Sequence, residues 1–223
     1  AKHPNQSYLL FPEGRKYPIR MPDDLPVRWI KSSPSSEFKG EAQPGEYYPY
    51  QIGVWAAREA IRNVSLEFGD LKNENGNTFS SKEMACFNLT GVDWLGRPMK
   101  KTFEVGKGMV RPLWCGVQIP EEASGTYRGT VTVKPVGAAA SVVKVEIKVS
   151  ESVLPNGGVN DLWRFSRLKC LNSTLGLDEE VTSPYTPLKV RGNTRTRRVR
   201  VDCLGRSVRF GDLGLPDSIA SKG

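Results

Sequence analysis

The sequence predicts an all-β protein: an antiparallel, immunoglobulin-like β-sandwich, followed by a connector and the first strands of a second β domain. Three observations point there. Roughly seven or eight short runs alternate apolar and polar residues with the period of two that suits a half-buried strand. Gly and Pro are plentiful, 22 and 16 in 223 residues, and fall between these runs as turn signals spaced roughly 8 to 12 residues apart, as in a sandwich. No stretch sustains a 3.6-residue period. An up-and-down barrel is the competing architecture.

Residues 1–45 read as an irregular lead-in, because Pro4, Pro12, Pro18, Pro22 and Pro26 recur too often for a helix. Within it Val27-Arg-Trp-Ile30 suggests a short strand, and 32–45 a loop. Residues 46–154 read as the sandwich. Its anchor is Glu46-Tyr-Tyr-Pro-Tyr-Gln-Ile-Gly-Val-Trp55, echoed by Leu113-Trp-Cys-Gly-Val-Gln-Ile119. Tyr48, Tyr50, Ile52 and Val54, with Leu113, Cys115, Val117 and Ile119, take the inner faces. Tyr47, Trp55 and Trp114 share the outer faces with Gln51, Gly53, Gly116 and Gln118, a mixture suited to contact with another surface.

Further strands follow at 63–68, 84–89 and 102–105, with a turn carrying Trp94 at 91–96 and a hint of helical turn at 57–62. Runs 126–134 and 141–149 form a hairpin, with Tyr127, Gly129, Val131 and Val133 facing Val143, Val145, Ile147 and Val149. Gly125-Thr-Tyr127 fits a tyrosine corner. Residues 155–187 lack alternation and carry Trp163, Phe165, Leu168 and Leu171, as a connector packed along a surface would. Residues 188–223 read as strand, turn, strand, turn, strand. Three strands need something to lie on, so this is the incomplete start of a second β domain.

Composition places the chain among globular proteins, with 38% hydrophobic and 25% charged residues. No run of about 18 apolar residues offers a membrane span. The chain opens at Ala1 without a signal-peptide core, which reads as a processed or trimmed end. Net charge is +8, but Lys189 to Arg209 holds eight basic residues against Asp202 alone, so the rest is close to neutral. Cys86, Cys115, Cys170 and Cys203 form no CxxC pair, which argues against a zinc site. Buried thiols and a disulfide both remain open for Cys86 and Cys115. Asn63, Asn88 and Asn172, like Asn5, head triplets of the N-glycosylation pattern, and the expected compartment is secreted or extracytoplasmic.

Catalytic equipment is missing. The one histidine, His3, lies in the N-terminal tail, against a Ser-His-Asp or HExxH centre. No phosphate-binding glycine loop occurs, and no cofactor or metal is expected. The acidic doublets Asp23-Asp24, Glu121-Glu122 and Glu179-Glu180 are sequence neighbours, which on extended backbone point apart rather than facing across a sugar. Arg195, Arg197, Arg198 and Arg200 form a basic patch, an alternative polyanion or nucleic-acid surface. Nucleic acid is the weaker reading because no aromatic alternates with the arginines to stack bases. Tyr47, Trp55, Trp94, Trp114 and Trp163 are candidates for carbohydrate binding or inter-domain packing, since flat rings offer apolar faces to sugar C–H groups.

Taken as a set, Glu46-Tyr-Tyr-Pro-Tyr-Gln-Ile-Gly-Val-Trp55, Cys86-Phe-Asn-Leu-Thr-Gly-Val-Asp-Trp94, Leu113-Trp-Cys-Gly-Val-Gln-Ile-Pro120, Gly125-Thr-Tyr-Arg-Gly129, Trp163-Arg-Phe-Ser-Arg-Leu168 and Leu171-Asn-Ser-Thr-Leu-Gly-Leu-Asp178 resemble the N-terminal region of glycoside hydrolase family 123-like proteins, over roughly residues 45 to 220. The resemblance implies a sandwich preceding a (β/α)₈ barrel, where an adjacent Asp-Glu pair performs substrate-assisted hydrolysis of N-acetylgalactosaminides. This sequence contains no barrel, so the resemblance assigns no catalytic residue to it. It implies a non-catalytic region, or fragment, of a carbohydrate-active protein whose partners are the missing C-terminal domains and carbohydrate. A free-standing glycan-binding module is the alternative.

Overall fold

The structure is a computed structural model, which describes residues 3, 6–177, 180–181, 183–193 and 198–221. The chain divides into two units, Ala1–Ser173 and Thr174–Gly223. In the first, β1 (Leu9–Gly14), a short helix α1 (Val27–Ser32) and β2 (Glu37–Ala42) precede β3 (Tyr47–Trp55), β4 (Arg62–Phe68), β5 (Leu71–Lys72) and β6 (Thr78–Phe79). Then come β7 (Ala85–Cys86), β8 (Thr90–Val92), β9 (Pro98–Lys100), β10 (Val110–Gln118), β11 (Gly125–Val136) and β12 (Ser141–Val149). Short 3₁₀ turns occupy Pro155–Gly158, Leu162–Arg164 and Ser166–Asn172.

Two sheets make the sandwich. One has the order β1-β3-β10-β7; the other runs β2-β12-β11-β5-β6, with β4 also paired to β11. Alternation decides which side chains meet. Tyr48, Tyr50, Ile52 and Val54 of β3 and Leu113, Cys115 and Val117 of β10 enter the core with Val131, Val133, Val143, Val145 and Ile147 of the other sheet. Phe38 of β2 stacks on Tyr50 of β3 at 4.8 Å between ring centroids, joining the layers. Tyr127 stacks on Phe79 at 3.7 Å. Burial of this kind contributes roughly 25 cal/mol per Å² of apolar surface, and it fixes the register because a one-residue slip would turn each strand inside out.

The structure corrects several expectations. The stretch expected to be an irregular lead-in contributes β1, antiparallel to β3, and β2, parallel to β12. Leu9-Leu-Phe-Pro hides its period because both its faces are covered, and Pro12 is tolerated because β1 is an edge strand. Val27–Ser32 is helical, with Trp29 turned inward. No helical turn forms at 57–62; Ile61 instead bridges Val105. The expected strand at 84–89 shrinks to Ala85–Cys86, and that at 102–105 to this bridge. Residues 90–100 form a separate hairpin, β8 with β9.

The second unit is a four-stranded antiparallel meander, β13 (Lys189–Asn193), β14 (Arg198–Cys203), β15 (Arg206–Phe210) and β16 (Pro216–Ser221). The sequence suggested three of these strands; β16, with Ile219 as its one large apolar side chain, carried too little pattern. Among the described residues no helix is long and apolar enough to cross a membrane.

Candidate functional site

The outer face of the β3–β10 pair, expected to suit contact with another surface, is covered at both ends by segments of this chain. Towards Trp55, the segment after β1 lies over it. Trp29 stacks on Phe11 at 4.3 Å and fits because Gly53 has no side chain: a Cβ there would stand 2.2 Å from the indole. Gln51 is fully buried, yet its Oε1 accepts from Ile19 N at 2.8 Å and its Nε2 donates to the carbonyls of Gly14 and Tyr17. A buried amide with all these partners organises the covering segment rather than waiting for a ligand.

At the other end the 155–172 connector closes over the sheet. Its anchor is Glu46, 0% exposed. Glu46 Oε1 accepts from Arg15 Nη1 and, at 3.1 Å, from Arg164 Nη1; Oε2 accepts from the backbone N–H of Gln43 at 3.0 Å. Arg164 also donates to Asp161 Oδ2 at 2.8 Å and to Gln43 Oε1 at 2.6 Å. Two guanidinium groups thus meet two carboxylates, so the cluster is neutral, as burial requires. The Arg15 guanidinium lies 4.6 Å from the Tyr48 ring and 5.1 Å from Trp163, while that of Arg164 lies 4.6 Å from Trp163. Trp163 is therefore a lid over two cations.

The five aromatic candidates have different environments. Tyr47 is buried against Phe87 and over Gly116, where a Cβ would come within 2.3 Å of the phenol oxygen; burial holds this phenol well above its ordinary range. Trp55 is half-buried and donates to Gly108 O at 3.3 Å. Trp114 is half-buried and packs on Phe165 at 5.4 Å. Trp163 is 57% exposed, and Trp94, between β8 and β9, is 80% exposed. Trp55 pairs with Val110, four residues along β10 from Trp114, a separation of about 13 Å, so these two rings form no continuous platform.

Beside Trp163 a shallow apolar cavity of about 280 Å³ is lined by Leu162, Phe165, Leu168 and Leu171, with Asp161 and Arg167 at its edge. Leu162 and Leu171 remain mostly exposed around it.

Other candidates fall as follows. Asn63 is exposed on β4, whereas Asn88 is half-buried with its Oδ1 taken by Trp114 N at 2.7 Å. Asn172 is half-buried, its Oδ1 without a hydrogen-bond partner in the structure. Arg198 and Arg200 project from β14; Arg195 and Arg197, like Asn5, lie outside the described residues. Cys86 and Cys115 are opposed across β7 and β10 as free, buried thiols. Among the described residues no three His, Cys, Asp or Glu side chains gather to hold a metal. With both its oxygens engaged and no access to solvent, Glu46 has the geometry of a structural pin, not of a catalytic acid. Nothing in the local sequence pattern announced it: its arginine partners stand 31 and 118 residues away.

No protein-family model matches the chain, and no curated protein matches it in sequence. Among solved structures it is similar to a family 123 glycoside hydrolase from Clostridium perfringens, studied for glycolipid glycan hydrolysis, with 18% identity and a TM-score of 0.53. That similarity covers 67% of this chain and 28% of the hydrolase, so the chain spans little more than a quarter of the hydrolase's length. It is also similar to a PapD-like domain of human CEP192 (TM-score 0.36, 11% identity, 53% of this chain and 83% of that one). A third is the fimbrial subunit MyfA of Yersinia enterocolitica (TM-score 0.35, 14% identity, 50% and 92%). What the hydrolase shares with this chain is the β-sandwich fold.

Proposed function

We propose that this chain is the non-catalytic β-sandwich region of a glycoside hydrolase-like, carbohydrate-active protein, where it packs against a catalytic body and borders its sugar cleft. The observation that carries this reading is the connector surface. The Glu46 cluster uses the buried Arg15 and the nearly buried Arg164 to hold residues 155–172 in place, and what it holds outward is an apolar groove between Leu162 and Leu171 beside the exposed ring of Trp163. An exposed apolar patch held this firmly suits a protein interface. Two further points support it: the sandwich similarity to the Clostridium perfringens hydrolase, and the resemblance of the motif set to that of family 123-like proteins.

The test is made on the parent protein. Its reading frame should encode a (β/α)-type body after this region, and hydrogen exchange at Leu162–Leu171 should be at least tenfold slower in that protein than in the isolated chain. Equal exchange in the two would discard the interface.

A free-standing glycan-binding module is the second reading, favoured by the exposed ring of Trp94 held on a hairpin by Asp93 and Arg97. It requires tryptophan fluorescence of the isolated chain to change on titration with N-acetylgalactosamine oligosaccharides, and Trp94→Ala to abolish that change.

A further inference from the structure

Residues opposed across an antiparallel ladder share a face, and the register of the meander sorts the arginine-rich segment accordingly. One row across the sheet is Lys189, Asp202, Ser207 and Ala220; the next is Arg191, Arg200, Arg209 and Ser218. Three arginines on three adjacent strands therefore stand side by side, about 4.8 Å apart strand to strand. Like charges so placed repel, and the sandwich avoids the arrangement. There Arg128 pairs with Glu146, Lys134 with Glu67 and Lys144 with Glu37 across neighbouring strands.

Among the described residues a single carboxylate answers the meander's row. Asp202 Oδ1 accepts from Arg200 Nε at 2.8 Å, and its Oδ2 is 3.8 Å from Arg191 Nε. Among the described residues no ion pair reaches Lys189, Arg206 or Arg209. The rows end in a cavity of about 680 Å³ beside the β14–β15 turn, lined by Lys189, Arg191, Arg200 and Arg206, by Asp202 with Ser207 hydrogen-bonded to it, and by Thr186. That volume lies within the roughly 300–1,000 Å³ usual for ligand sites.

We propose that this face and cavity bind an acidic oligosaccharide, whose carboxylate or sulfate groups the arginines grip and whose hydroxyls meet Thr186 and Ser207. Guanidinium groups suit planar or forked oxyanions. Nucleic acid fits less well, because Phe210, the one aromatic ring on these four strands, is opposed to Val199 and so lies on the other face, so that no aromatic alternates with the arginines along the strands to stack bases. This inference is independent of the function proposed above, since it rests on the second unit alone.

The test uses the full chain in about 0.1 M salt, where screening still leaves contact pairs intact. The probes are a galacturonate oligomer, a heparin tetrasaccharide, a neutral dextran oligomer and a thymidine 20-mer. At least one acidic sugar should bind, the dextran should not, and the thymidine strand should bind at least tenfold more weakly. The triple variant Lys189→Gln, Arg191→Gln, Arg209→Gln should weaken sugar binding tenfold or more. The charge-matched control Arg62→Gln, Lys82→Gln, Lys107→Gln should stay within twofold.

Which acidic sugar binds identifies the oxyanion. Equal loss in the control, thymidine binding as tight as the sugar, or no acidic sugar bound at all would overturn the proposal. Chemical-shift changes in the unmodified chain give the same decision without any variant: they must centre on Lys189–Arg191 and Arg200–Ser207, and changes confined to residues 1–173 refute it.

Discussion

Arg164 Nη1 stands 3.1 Å from Glu46 Oε1, a contact between residues 118 apart in sequence that fastens the connector to the start of β3. Glu46 is sealed from solvent, and the side chains of Arg15 and Arg164 are nearly so. Replacing Glu46 by Gln keeps the volume and leaves two guanidinium groups with one carboxylate, Asp161, between them. Removing one partner of a buried pair costs about 3–5 kcal/mol, so urea unfolding of Glu46→Gln should show a loss of that order. Arg164→Met, which leaves Glu46 paired with Arg15 and unpairs only the half-exposed Asp161, should cost less. Equal stability of Glu46→Gln and the wild type would mean that the cluster pins nothing.

Gly116 is glycine because Tyr47 lies across it. A Cβ at Gly116 would meet the Tyr47 phenol oxygen at 2.3 Å and two ring carbons at 2.6 Å, and the buried ring has nowhere to retreat. Overpacking of this kind costs about 1–3 kcal/mol. Gly116→Ala should lower the unfolding midpoint accordingly, while Gly14→Ala, with nothing within 4 Å of the new methyl, should cost far less. Combining Gly116→Ala with Tyr47→Leu should recover part of the loss, since contacting residues are not additive.

The same residues mark how far the sequence could be read. β3, β10, β11 and β12 were legible because each sets one apolar face into a single core, and alternation is the direct record of that. β1 was illegible because Leu9 and Phe11 serve the outer cluster with Trp29 while Leu10 serves the main core, which erases the period. β2 offers only Phe38 and Ala42 to the core. What the outer face meets was illegible for a different reason: its cover comes from segments that have no period of their own. Glu46, Arg15 and Arg164 pair through the fold, and no local pattern encodes a contact spanning most of the first unit.

Cys86 and Cys115 oppose one another across the β7–β10 ladder, both buried, and burial pushes the Cys115 thiol well above its ordinary range. Neither side chain is open to a reagent, so these two should be inert in the folded protein because they are buried. Cys170 is exposed and Cys203 half-exposed. Ellman's reagent at neutral pH should therefore titrate two thiols rapidly and the other two only in denaturant. Four rapid equivalents would show that the β7 edge opens readily.

Burial raises the phenol pKa of Tyr8, Tyr47, Tyr48 and Tyr50, that of Tyr48 to about 12. An acid whose folded pKa lies above its unfolded value of 10.0 contributes stability in full below pH 10 and loses it as pH rises towards the folded value. The sandwich should thus hold steady up to pH 10 and weaken between pH 10 and 12. Tyr48→Phe isolates one share of that loss: it removes a phenol whose ring lies between Phe38's sheet and the Arg15 guanidinium, without removing the ring. Each pKa unit is worth about 1.4 kcal/mol. The stability gap between wild type and variant should be constant up to pH 10 and move in favour of the variant by on the order of 2 kcal/mol by pH 12. Parallel curves across that window would show that the Tyr48 hydroxyl already meets water in the folded state.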